Sequence, residues 1–118
     1  MRHPHAQIEE IQRDFCRQRG VEYFPVSANS KLGFALATRG QLPINGLRHS
    51  PAGETCGWYI WCGEVFGDTP DFFAPLHTRH FYEDHPEIAK LLGLAPGHRF
   101  LLAGDQLEVW FDASLLNV

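Results

Sequence analysis

Several features that mark common functional classes are missing from this sequence. No apolar run approaches the roughly 20 residues needed to cross a bilayer, and the first residues lack the apolar stretch of a secretion signal. There is no G-x-G-x-x-G loop, no P-loop and no G-x-S-x-G nucleophile motif. These absences argue against a membrane protein and a nucleotide-dependent enzyme. We therefore expect a cytoplasmic protein.

Cysteine is scarce as well. The chain has three cysteines, and an odd count without regular spacing argues against the disulfide framework of a small secreted protein. Cys62 lies in a tryptophan-rich segment, where a thiol packs as a small apolar group. Cys56 precedes that segment, in a position open to solvent exposure. Neither has a base that the sequence identifies, so we predict no catalytic thiol.

Basic residues are few in the second half of the chain. Residues 1–50 contain seven Lys/Arg and four Asp/Glu, whereas residues 51–118 contain three Lys/Arg and ten Asp/Glu, within a formal net charge of −4. An acidic half repels phosphate backbones, which argues against nucleic-acid binding. It favours a basic protein partner, although ordinary solubility explains such a charge equally well.

The composition is sufficient for one hydrophobic core. Of the 118 residues, 44% are hydrophobic and 13% aromatic, so we expect a single domain over 1–118 that folds without a cofactor. Apolar periodicity predicts an amphipathic helix over about 4–19, with Ile8, Ile11 and Phe15 on its apolar face. Strands are predicted over 33–38, 44–49, 57–63, 99–103 and 106–112, and two helical pieces over 76–92. This order predicts an α+β fold, in which the N-terminal and central helices pack on a mainly antiparallel sheet.

The segment 57–63 is the clearest strand. Its apolar residues alternate, with Trp58, Ile60 and Cys62 on one face and Tyr59 and Trp61 on the other. Because both faces are bulky and largely apolar, the pattern predicts a central strand that is covered on both sides.

The last two strands are predicted to form a hairpin. Gly104 and Asp105 lie between them as a two-residue turn. In the second strand, the apolar residues Leu107, Val109 and Phe111 alternate with polar positions and are predicted to face the core. Trp110 falls on the polar face, where we expect it to be at least partly exposed.

Histidines are the first candidates for chemistry. His77 and His80 have the i, i+3 spacing that places two ligands on one helix face, and His85 follows. A zinc site needs about three protein ligands in a catalytic centre and four in a structural one. The sequence has no H-E-x-x-H, no C-x-x-C and no clear third ligand. We therefore predict surface histidines and no metal.

Acidic residues are the second group of candidates. They cluster after the strand 57–63 and on the helix that follows, and nothing in their spacing indicates a glycosidase-type pair. We expect them to be solvated or to form half of a charged interface, with an exposed tryptophan as an anchor. The candidate partner-binding residues are Glu64, Asp68, Asp71, Glu83, Asp84 and Trp110.

Several sequence blocks resemble a known family. The most specific are G-W-Y-I-W at 57–61 and P-G-H-R-F at 96–100, and D-F-F-A-P-L-H at 71–77 and V-W-F-D at 109–112 follow the same pattern. Together they resemble the immunity-protein thirty-three domain over most of residues 27–118, without the N-terminal helix. His98 departs from the aromatic residue, usually Trp, that this pattern has before Arg-Phe.

The resemblance implies a role in bacterial toxin–immunity systems. Such domains are encoded beside polymorphic toxins and are thought to protect the producing cell by binding the toxin, and the family offers no catalytic residues to transfer. The sequence leaves two alternatives open. One is a small metal-dependent or hydrolytic enzyme that uses His77, His80 and nearby acids, and the other is a generic interaction module. The oligomeric state also stays open between a monomer and a homodimer formed through a sheet edge or an exposed tryptophan.

Overall fold

The computed structural model describes residues 5–27, 29–64 and 72–117, which form three α-helices and one six-stranded sheet. Short 3-10 turns lie at Leu36–Thr38, Lys90–Gly93 and Ala113–Asn117. Among the described residues, no helix has the length and apolar character needed to cross a membrane. In chain order the elements are α1 (His5–Arg19), β1 (Lys31–Phe34), β2 (Ile44–Arg48), β3 (Thr55–Cys62), β4 (Ala74–His77), α2 (Thr78–Asp84), α3 (Pro86–Ala89), β5 (His98–Ala103) and β6 (Gln106–Phe111).

The sheet is mixed but mostly antiparallel. Its strand order is β4-β1-β3-β2-β5-β6, and β1–β3 is its parallel pair. The main core lies between one face of the sheet and the helices. The predicted α+β class, with helices packed on a mainly antiparallel sheet, is therefore confirmed.

The central strand is β3, as the alternation of its apolar residues predicts. Trp58 and Ile60 are completely buried in the main core beneath the helices. Trp61 lies on the opposite face, in a smaller cluster with Leu47 and Leu115. Apolar side chains on both faces hold β3 in the middle of the sheet, because neither face can be left in water at low cost.

Helix α1 packs with a different residue than its periodicity predicts. Ile11 is 44% exposed, so its predicted place on the buried face is wrong. Gln12 is buried instead, between Ile8 and Cys16 at i, i+4 spacing. Its amide nitrogen donates to the Tyr82 hydroxyl and to the Ala89 carbonyl, both at 2.9 Å. These two bonds offset the cost of burying the amide.

One strand boundary and one whole strand also differ from the predictions. The first strand ends at Phe34 instead of residue 38, since the Thr38 hydroxyl donates to the Ala35 carbonyl at 2.7 Å and closes a 3-10 turn. The sequence does not predict strand β4, because its last residues belong to the helical pattern that begins at residue 76. It contains Pro75 and lies at the edge of the sheet, where a missing N–H is tolerated.

Asn45 and Gly46 form a dipeptide that is common in turns, yet both lie inside β2. A side chain at Gly46 would put its Cβ 2.2 Å from the Phe100 ring, so the glycine makes room for this ring in the core. The Asn45 amide nitrogen donates to the Gly63 carbonyl at 2.8 Å across the sheet. Both residues therefore serve strand packing instead of a turn.

Two further expectations are corrected at the level of single side chains. Phe111 is 54% exposed and does not face the core, because it ends an edge strand and packs against Gly97 and His98. Leu107 and Val109 on the same strand do pack against the core, as predicted. Cys56, whose sequence position is open to solvent exposure, is buried, and only 4% of its surface is accessible.

A buried arginine joins segments that are distant in sequence. Arg48 is 1% exposed, and its guanidinium donates to the carbonyls of Cys56 at 3.0 Å, Phe24 at 2.9 Å and Leu94 at 2.8 Å. The Phe24 ring lies 4.9 Å from the guanidinium carbon. Among the described residues no carboxylate pairs with Arg48. Burial lowers its pKa, and the carbonyl dipoles solvate its charge.

We predict that Arg48→Met destabilises the fold strongly. Three carbonyl oxygens lose their donor, so the free energy of unfolding should fall by at least about 3 kcal/mol. Arg48→Lys should recover little of this, because an ammonium lacks the planar fork. Urea titration measures the change, with Arg39→Met at an exposed position as the control. A loss for Arg48→Met no larger than that of the control would contradict the assigned role.

Candidate partner-binding surface

Three of the predicted acidic residues lie at one end of the sheet. Glu64 is exposed directly after β3, and Glu83 and Asp84 are exposed in the last turn of α2. This helix ends beside β1, since the ring of His85 lies 5.4 Å from that of Phe34. Because β1 and β3 are parallel, their carboxyl ends meet at the same end of the sheet. We call this the acidic end. Asp68 and Asp71 lie outside the described residues.

Sequence reasoning missed one acidic residue at this end. Asp105 is exposed in the β5–β6 turn, where the sequence identified it only as a turn residue. Ile44 pairs with both Cys62 and Leu102, which places that turn beside the carboxyl end of β3. The loop after β1 adds an exposed cation, Arg39, to the same end. The acidic end thus combines carboxylates from three separate parts of the chain with one arginine.

Trp110 lies away from the acidic end, on the sheet face opposite the helices, which we call the open face. It is 42% exposed, and the guanidinium carbon of Arg99 lies 5.7 Å from its ring centre. Arg99 also pairs with Asp112 at 3.4 Å. Hydrogen bonds from the Ser114 hydroxyl and amide lower the pKa of Asp112, so this carboxylate stays charged near neutral pH. Trp110 is therefore held beside a charged arginine–aspartate pair.

A row of paired residues crosses the open face. Each residue of the row lies opposite the next one on the neighbouring strand, so all six lie on one face of the sheet. The row joins a shallow depression at the β4 side to the exposed tryptophan on β6. Its members, from β4 to β6, are Pro75, Gly33, Tyr59, Leu47, Arg99 and Trp110.

The depression is small and mostly apolar. It has a volume of about 200 Å³ and is bounded by Tyr59, Phe73 and Pro75, with Lys31 at its margin. Pockets for small molecules usually enclose about 300–1,000 Å³. The depression is therefore smaller than a usual small-molecule pocket.

The family follows from comparison with known proteins. Residues 11–112 match the Imm33-like domain. The chain belongs to this family. The match begins within α1 and ends after β6, so it covers the complete sheet and more of the N-terminus than the sequence resemblance indicates. No significant match was found among curated proteins or among solved structures.

The two histidines at i, i+3 spacing lie at the surface of this Imm33-like domain. His77 and His80 are both exposed, with ring centres 5.5 Å apart. His85 does not join them, since its ring packs 4.7 Å from that of Phe81. Within 5–27, 29–64 and 72–117, no group of three or more His, Cys, Asp or Glu side chains is placed to hold a metal. Among these residues, the pair has no third ligand of the kind that a catalytic zinc site requires.

The thiols of the domain are placed as packing groups. Cys16, Cys56 and Cys62 are buried and free of disulfides. Burial raises the pKa of Cys16 and of Cys62, which lowers the fraction of nucleophilic thiolate at neutral pH. Neither property suits a catalytic cysteine.

We predict that native protein reacts slowly with an aromatic disulfide reagent at pH 8. All three thiols should be protected by burial and react only after the chain unfolds. Absorbance of the released thiolate measures the reaction, and the same sample in denaturant gives the full count. A cysteine that reacts in the native protein as fast as a free thiol would contradict its packing role.

Proposed function

We propose that this Imm33-like domain is a single-domain immunity protein that acts in the cytoplasm of a bacterium. It binds a cognate toxin and neutralises it by protein–protein contact, without catalysis. The observation that carries the proposal is the family match over residues 11–112. The buried thiols and the two-ligand histidine pair support action by binding instead of chemistry.

We propose that the toxin contacts the acidic end of the sheet. Complementary charge accelerates encounter and selects partners, so this surface suits a toxin with a basic face. The surface of the domain is more acidic than the formal net charge of −4 indicates, because Arg48 is buried and turned inward. The proposed contact residues are Glu64, Asp68, Asp71, Glu83, Asp84 and, on the open face, Trp110.

The proposal is tested with the toxin encoded next to the gene. Expression of that toxin alone should arrest a host strain, and co-expression of the immunity protein should restore growth. The purified proteins should form a stable complex when analysed by size exclusion. If the chain neither binds this toxin nor restores growth, the proposed function is wrong.

The acidic contact is tested by charge reversal. We predict that Glu83→Lys with Asp84→Lys lowers the association rate about tenfold at low salt, because steering depends on the net charge of the facing surfaces. Raising the ionic strength should shrink the difference. Surface plasmon resonance measures the rate.

The matched control reverses two acids elsewhere. Glu10 and Glu22 are exposed on and just after α1, and their replacement by Lys changes the net charge equally. If this control slows association as much as the α2 variant does, total charge governs binding and the acidic end is not the contact.

A further inference from the structure

The outer edge of β6 has no partner strand among the described residues. This strand is last in the sheet order, and none of the described strands pairs with its outer side. Natural edges are usually blunted by proline, lysine, a bulge or short length. The opposite edge strand, β4, has four residues and contains Pro75. In contrast, β6 has six residues, QLEVWF, with neither proline nor lysine, and its one charged side chain is Glu108.

The hydrogen-bond pattern identifies which backbone groups are free. The Asp112 amide donates to the Gly97 carbonyl at 2.7 Å, and residues 103 and 106 pair across the two-residue turn. Since bonded residues alternate along an antiparallel pair, positions 106, 108 and 110 bond to β5. The amide and carbonyl groups of Leu107, Val109 and Phe111 therefore point away from the sheet.

The chain that follows β6 leaves this edge open. The 3-10 turn Ala113–Asn117 folds inward over the open face, where Leu115 packs with Leu47. The Leu115 carbonyl lies 2.9 Å from Nδ1 of His49 on β2's side of the sheet. Phe111 at the edge stays 54% exposed.

We propose that the edge of β6 pairs with β6 of a second copy of this chain, antiparallel about a two-fold axis at Val109. In this register Val109 faces Val109, and Leu107 of each copy faces Phe111 of the other. These are the three residues whose amide and carbonyl groups point away from the sheet. In this register each outward amide donates to an outward carbonyl of the other copy. The two exposed Phe111 rings are covered by apolar partners.

Charge also favours a second copy in this register. Glu108 of each copy faces Trp110 of the other, and Arg99 lies under that tryptophan, 5.7 Å from its ring centre. The Nε of Arg99 is buried and has no hydrogen-bond partner among the described residues. The incoming carboxylate comes to lie two strands from Arg99, whose positive charge favours it without contact to the shielded Nε. A register centred on Glu108 would oppose two like charges and would leave Phe111 opposite the turn residue Asp105 instead of an apolar side chain.

The first experiment measures mass against concentration for the isolated protein, independently of any toxin. Sedimentation equilibrium should show the mass rising towards twice the monomer at about 100 µM, because six-residue pairing lies at the low end of interface sizes. Phe111→Glu should stay monomeric at that concentration. Leu42→Glu, which removes another exposed apolar side chain from the loop before β2, should behave as wild type. If the wild-type chain stays monomeric, the proposal is wrong. This includes the case in which the edge of β6 pairs with a strand of a toxin instead of a second copy.

The second experiment tests the register by cross-linking. Facing residues in a non-bonded antiparallel pair have Cα atoms about 4.5 Å apart, which suits a disulfide. A variant carrying both Glu108→Cys and Trp110→Cys should therefore form a covalent dimer on mild oxidation. Either substitution alone should cross-link at least tenfold more slowly, and the native cysteines are buried. Equal rates for the double and single variants overturn the proposed register.

Discussion

The hydrogen bonds of Arg48 hold together parts of the chain that no regular element connects. Its guanidinium bonds to carbonyls from the segment before β1, from β3 and from the segment before β5. The adjacent Trp58 indole adds a 2.9 Å bond to the Leu92 carbonyl. A charged group can be buried in this way only when every donor is well placed. The helix layer and the sheet therefore have one relative position, and the surfaces described above depend on it.

With the helices in this position, the two faces of the sheet have different surroundings. The helices cover one face, where the large apolar side chains gather. Among the described residues, Phe72, Phe73 and the last turn cover part of the other face. Partly exposed aromatic and charged groups consequently accumulate on the open face and at the ends of strands. Such surfaces are common where a small protein meets another protein.

Elements in which apolar residues repeat at a regular spacing could be predicted from the sequence. Alternation of large apolar residues identified β3, and a two-residue turn identified the β5–β6 hairpin. Proximity across the sheet was harder to predict, because it depends on strand order. Nothing local places Asp105 beside the end of β3, or separates Trp110 from the acids. Gln12 and Arg48 were missed as core residues, since only tertiary hydrogen bonds make their burial possible.

The parallel pairing of β1 with β3 has a consequence for the order of folding. β1 lies between β3 and β4, so its two neighbours are synthesised after it, and the second ends at His77. A growing chain therefore cannot complete this half of the sheet until most of the protein has left the ribosome. Contacts between such distant segments slow the search for the native state. The protein should consequently gain its shape late in synthesis and as one cooperative unit.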